Sequence, residues 1–167
     1  MKYRYNLHIL LIILIAAFFA KPAISQGVYA REESKLDLVY QQYNLTGEQV
    51  VIGIIDRGID YFHPDFIDEN NNTRILYVYD MVNPEGANDP DNPYGIGTIF
   101  SQEDINASLA SMTEPLSMDR YGHGTATTGI ATGSGAAVSG TDFQGVAPKA
   151  KIIVVKAIQD YFPPFDD

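Results

Sequence analysis

Val50-Val51-Ile52-Gly53-Ile54-Ile55-Asp56-Arg57-Gly58 is the stretch that decides the fold. Val50 to Ile55 is a continuous apolar, mostly β-branched run of strand length. Such a run predicts a parallel strand covered on both faces, here ending in an acid and a glycine-permitted turn. Ala150-Lys151-Ile152-Ile153-Val154-Val155-Lys156-Ala157 reads as a second buried strand, and Arg74 to Asp80 adds a third with partial alternation. Between them, His123 to Gly133 reads as a helix of small residues, with Gly124, Ala126, Gly129 and Ala131. Glycine costs about 1 kcal/mol in a helix interior, so its use here predicts close approach of helix to sheet. Strand, loop, helix, strand is an α/β pattern on a parallel sheet.

Outward from this core the signals are local. Glu32 to Tyr43 carries weak helical spacing through Leu36, Val39, Tyr40 and Tyr43 and predicts a short helix lying on the domain. Residues 82–97 are dense in Pro, Asn, Asp and Gly and read as a long loop. Its acids Glu85, Asp89 and Asp91 read as solvated. Ser101, followed three residues on by Asp104, predicts a capped helix running to Ser111. The segment 134–145 is a turn region. Asp160 to Asp167 reads as a loop cut mid-course.

Lys2 and Arg4 precede an apolar run from Leu7 to Ala20, and Ala23 and Ser25 stand two apart after it. A basic start, a short apolar stretch and small residues at that spacing predict a secretory signal peptide over residues 1–25. The run is short for a bilayer span, which takes about 20 residues, so membrane attachment is expected only through an uncleaved signal. Residues 26–48 form an extension and 49–167 the domain. The expected location is secreted, cell-envelope or periplasmic. The net charge is −10, and removal of Lys2, Arg4 and Lys21 makes the chain more acidic still. That excludes nucleic acid as a partner, since phosphate binding needs Lys and Arg. With no Cys in the chain there is no disulfide framework, and stability must come from packing or metal ions.

The chemistry lies in two places. Asp56 stands at the carboxyl end of a strand, where ligand sites of open α/β sheets lie. His123 follows Gly122 at a helix start, from which its side chain can project toward the strand ends. A fixed carboxylate that orients an imidazole is two thirds of a Ser-His-Asp triad. In such a triad the imidazole takes a proton from a serine hydroxyl, and the acid stabilises the resulting cation.

These residues carry a resemblance. VIGIIDRGIDYFHPDF, Val51 to Phe66, is similar to the Asp motif of the subtilisin-like serine peptidases. DRYGHGTATTGIATG, Asp119 to Gly133, is similar to their His motif. Gly145-Val146-Ala147-Pro148-Lys149-Ala150 resembles the approach to their next core strand. The resemblance covers roughly Gln49 to Ile158 and implies an incomplete subtilisin-like three-layer fold with a parallel sheet. It implies catalytic roles for Asp56 and His123, and for Asp65 an oxygen ligand to a structural calcium ion, with no cofactor required for the chemistry. About 20 residues between the expected cleavage and the Asp-motif strand are too few for a folded propeptide domain.

Two departures stand out. The family's Gly-Thr-Ser-Met-Ala motif is absent; Ser101, Ser108, Ser111, Ser117, Ser134 and Ser139 lack that context. Arg57 replaces the family's usual Thr or Ser, and strand alternation points it away from the site. The expectation is therefore a serine endopeptidase acting on protein or peptide substrates, present here as an Asp/His-bearing fragment inactive by itself. The alternative is a non-catalytic secreted remnant or binding module. His63, in a loop before Pro64, is expected to be structural, and Asp60 a turn residue.

Overall fold

The computed structural model describes residues 31–112, 115–138 and 143–159. The expected signal peptide, Ser139 and the acidic stretch from Asp160 lie outside them. The elements in chain order are α1 (Leu36–Tyr43), β1 (Val51–Asp56), β2 (Ile75–Asp80), β3 (Thr98–Ser101), α2 (Gln102–Ser111), α3 (His123–Thr132) and β4 (Lys151–Lys156). A single 3₁₀ turn, Pro64–Phe66, follows β1.

The sheet order is β1-β4-β2-β3. β4 pairs in parallel with β1, from Val51 opposite Lys151 to Asp56 opposite Lys156. It also pairs in parallel with β2, where Asp80 lies opposite Lys156. The carboxyl ends of three strands thus bring Asp56, Lys156 and Asp80 into one row. β3 joins β2 antiparallel. The sequence pattern did not distinguish this four-residue strand from the loop before it and the helix cap after it.

Ile75 and Val78 of β2, Ile152 and Val154 of β4, and Ile105 of α2 meet Ile59, Tyr61 and Phe66 in one core. Full burial of each such side chain contributes about 1.5–3 kcal/mol. Tyr61 keeps its polar tip satisfied inside this core: its hydroxyl lies 2.8 Å from Ser108 Oγ and accepts from Leu116 N–H at 2.8 Å. β1 departs from the expectation of two covered faces. Val51 and Ile55 are exposed, Ile55 by 74%. The strand is at one end of the sheet order, and a Cβ built at Gly53, between these two residues on the same face, would meet nothing within 4 Å.

Both outer helices take their expected places. Ser101 Oγ accepts from Asp104 N–H, and the Asp104 carboxylate accepts from Ser101 N–H at 2.8 Å, a capping box. It satisfies two of the backbone donors a helix start leaves unpaired. In α1 the Tyr40 hydroxyl reaches the carbonyls of Gly145 and Val146, laying the helix on the domain.

Candidate active site

Asp56 ends β1 and is buried, its side chain 10% exposed. His123 opens α3, and its Nδ1 lies 2.9 Å from both Asp56 carboxylate oxygens. The imidazole itself is 71% exposed. A ring held through Nδ1 by a buried acid, and open to solvent elsewhere, leaves Nε2 able to exchange a proton with an incoming group.

Two glycines let the strand end and the helix start meet. Gly58 has φ +123°, and a Cβ there would stand 2.7 Å from the Met118 carbonyl oxygen. At Gly124 a Cβ would stand 2.1 Å from the Gly58 carbonyl oxygen and 3.2 Å from the Asp56 Cβ. The small residue after His123 is therefore the condition for docking α3 against the end of β1.

Polar ties fix the same junction. Asp119 accepts from Gly122 N–H at 3.0 Å and from the Thr125 backbone and hydroxyl at 2.8 and 2.7 Å. It serves as the acidic cap of α3. Thr125 Oγ1 in turn accepts from Asp60 N–H at 2.9 Å, tying the helix to the turn after β1. Lys156, buried at the end of β4, donates to the Met118 carbonyl at 2.7 Å and holds the segment leading into His123. Sequence reasoning missed Asp119 and Lys156. An acid just ahead of a helix start was the available sign of the first; the second sits at the end of an apolar strand and gives no sign.

Burial opposes ionisation of Asp56, but the His123 hydrogen bond, the Arg57 N–H at 2.7 Å and the nearby positive charges outweigh it. The carboxyl group is held below its ordinary range. The Arg57 guanidinium lies 4.8 Å from the centre of the Tyr121 ring, two residues before His123.

The other candidates lie apart from this pair. Asp60 accepts from Phe62 N–H in a local turn, as expected. His63 Nδ1 accepts from Asp65 N–H at 3.3 Å and caps the 3₁₀ turn. Asp65 is buried beside Gly133, at the opposite end of α3 from His123, and its Oδ1 accepts from Ala137 N–H at 2.9 Å. Among the described serines, hydroxyls are engaged elsewhere: Ser101 with Asp104, Ser108 with Tyr61, Ser111 with Ala107, Ser117 with Asp80. Ser134 accepts from Ala136 N–H.

A strand-end acid thus grips the imidazole at a helix start, and comparison with known proteins supplies the family. The profile of the subtilase family matches residues 47–162, and the chain belongs to that family. It is 35% identical over 138 residues to the subtilisin-like protease SBT2.2 of Arabidopsis thaliana, covering 74% of this chain and 16% of that protein. It is 32% identical over 114 residues to bacillopeptidase F of Bacillus subtilis (strain 168), covering 68% of this chain and 6% of that protein. Among solved structures, the CspB protease of Clostridium perfringens matches with 35% identity and a TM-score of 0.56, over 72% of this chain and 23% of that one. The chain thus spans less than a quarter of each of these relatives. Among the described residues, no helix is long and apolar enough to cross a membrane.

Proposed function

We propose that this chain carries the Asp–His half of a serine-peptidase triad, and that the complete protein is an exported subtilisin-like endopeptidase acting on proteins or peptides. The observation that carries the proposal is the placement of His123 Nδ1 at 2.9 Å from both oxygens of Asp56, both within the span that the family profile matches. In the proposed reaction Asp56 holds the ring so that Nε2 faces the nucleophile. Nε2 takes the proton from a serine hydroxyl as that oxygen attacks the peptide carbonyl, then returns it to the leaving amine. Asp56 stays ionised throughout and stabilises the imidazolium. Its lowered pKa suits that role, since it holds negative charge across the working range.

The serine is assigned to sequence outside these 167 residues, because the described serines are engaged elsewhere and lack the family's motif. The chain by itself is accordingly inactive in this reading. Export rests on the basic and apolar pattern of residues 1–25. The test is peptide hydrolysis by the complete product of the gene. His123→Ala and Asp56→Ala, each folded as the parent, are expected to lose at least about 10⁴-fold in kcat. Hydrolysis that survives both substitutions would end the proposal.

A further inference from the structure

The resemblance implies a calcium ion beside Asp65, and the surroundings of that residue show a different arrangement. Arg74, just ahead of β2, is buried at 6% exposure. Its Nη1 donates to the Ala150 carbonyl at 2.7 Å, and its Nη2 donates to the carbonyls of Asp65 and Thr132, both at 2.5 Å. One guanidinium therefore joins the 3₁₀ turn, the last residue of α3 and the entry to β4.

Calcium takes six to eight oxygens. Here three carbonyl oxygens and one oxygen of the Asp65 carboxylate already accept from nitrogen donors. The Asp65 carbonyl takes both Arg74 Nη2 and Ser134 N–H, which fills its two lone pairs. Asp65 Oδ1 takes the Ala137 N–H. The carbonyls of Thr132 and Ala150 face the guanidinium. A divalent ion among them would also meet the fixed positive charge of Arg74. Among the described residues, no three His, Asp or Glu side chains gather to hold a metal.

We infer that the Arg74 guanidinium is the cation of the Asp65 cluster, standing where the resemblance implies calcium, so that the fold takes no divalent ion there. The planar fork suits this role. It reaches three carbonyls from a fixed geometry, whereas an ammonium has a single centre. Thr132 supplies one of the carbonyls that a helix end leaves without an intrahelical partner, at the negative end of the α3 dipole. Burial draws the Arg74 pKa down, while the charges of Asp65 and Asp68 pull the other way, and an arginine remains protonated throughout.

The test does not depend on peptidase activity. In the full chain labelled uniformly with ¹⁵N and ¹³C, Arg74 is expected to show separately resolved Nη protons, assigned through its own side-chain carbons. These protons should exchange with water at least about 100-fold more slowly than those of exposed arginines. Calcium chloride, raised to about 10 mM, well above the dissociation constants of weak extracellular calcium modules, is expected to leave the Asp65 and Ala137 amide signals unmoved. Arg74 protons exchanging as fast as those of exposed arginines would overturn the inference. So would a saturable calcium-dependent shift at Asp65 and Ala137 that disappears in Asp65→Asn. Both readings are taken on the unsubstituted chain, and a saturable shift at Asp65 and Ala137 overturns the inference even where Asp65→Asn does not fold.

Discussion

Replacing Gly124 with alanine sets two effects of opposite sign against each other. In a helix interior alanine is favoured over glycine by about 1 kcal/mol, so propensity alone predicts stabilisation. The structure predicts the reverse. An added Cβ would lie 2.1 Å from the Gly58 carbonyl oxygen, a backbone atom in a turn of fixed shape. To restore ordinary contact the helix start and the turn must part by about 1 Å, and insertions of this kind cost about 1–3 kcal/mol. The steric cost exceeds the propensity gain, which is smaller than its full value one residue inside the helix. Net destabilisation of about 1–2 kcal/mol follows. The same shift takes His123 beyond hydrogen-bond reach of Asp56, now 2.9 Å away. Gly129, in the same helix, supplies the control: nothing lies within 4 Å of a Cβ built there. Gly129→Ala is expected to stabilise by up to about 1 kcal/mol. Urea unfolding of the three proteins, compared by linear extrapolation, reads the signs directly. A Gly124→Ala protein as stable as the parent, with the Asp56–His123 contact intact, would refute the argument that this glycine makes the junction possible.

Two further outcomes follow from the same geometry. The Asp56 carboxyl group titrates below its ordinary range in the folded chain, so the native state holds its charged form more strongly than the unfolded state does. The stabilisation is fully present above the unfolded-state value of about 3.9 and is lost as pH falls through the lower folded value. The stability gap between the parent and Asp56→Asn should therefore narrow as urea unfolding is repeated at falling pH below about 4; a gap that widens would contradict it. Ser101→Ala removes one half of the α2 capping box and should cost about 1 kcal/mol in the same assay, whereas no change would mean that the cap is frayed in solution.

What the sequence made legible was what local pattern encodes. The β-branched run from Val50 marked β1, the similar run from Lys151 marked β4, and Ser101 with Asp104 marked the start of α2. Asp56 and His123 could be paired because each stands at the end of a readable element. What stayed hidden depends on contacts between elements far apart in sequence. A continuous apolar run implies cover on both faces, yet Val51 and Ile55 are exposed here, because no pattern within a strand records what packs on it. β3 is four residues long, too short to establish a period, and its pairing with β2 comes from position. Arg74 looked like an ordinary polar residue before a strand. Its role depends on the carbonyls of Asp65, Thr132 and Ala150 converging from three other segments. Arg57 packs its guanidinium on the Tyr121 ring, 64 positions on, a contact no local pattern records.

The central claim is that Asp56 and His123 serve a serine nucleophile. It is tested most directly by reacting the complete gene product with a fluorophosphonate probe and locating the adduct by mass spectrometry. The account predicts a single modified serine, with modification lost in a folded His123→Ala variant, since the imidazole must take the hydroxyl proton. Equal modification with and without His123, or none in a folded complete product, would contradict it.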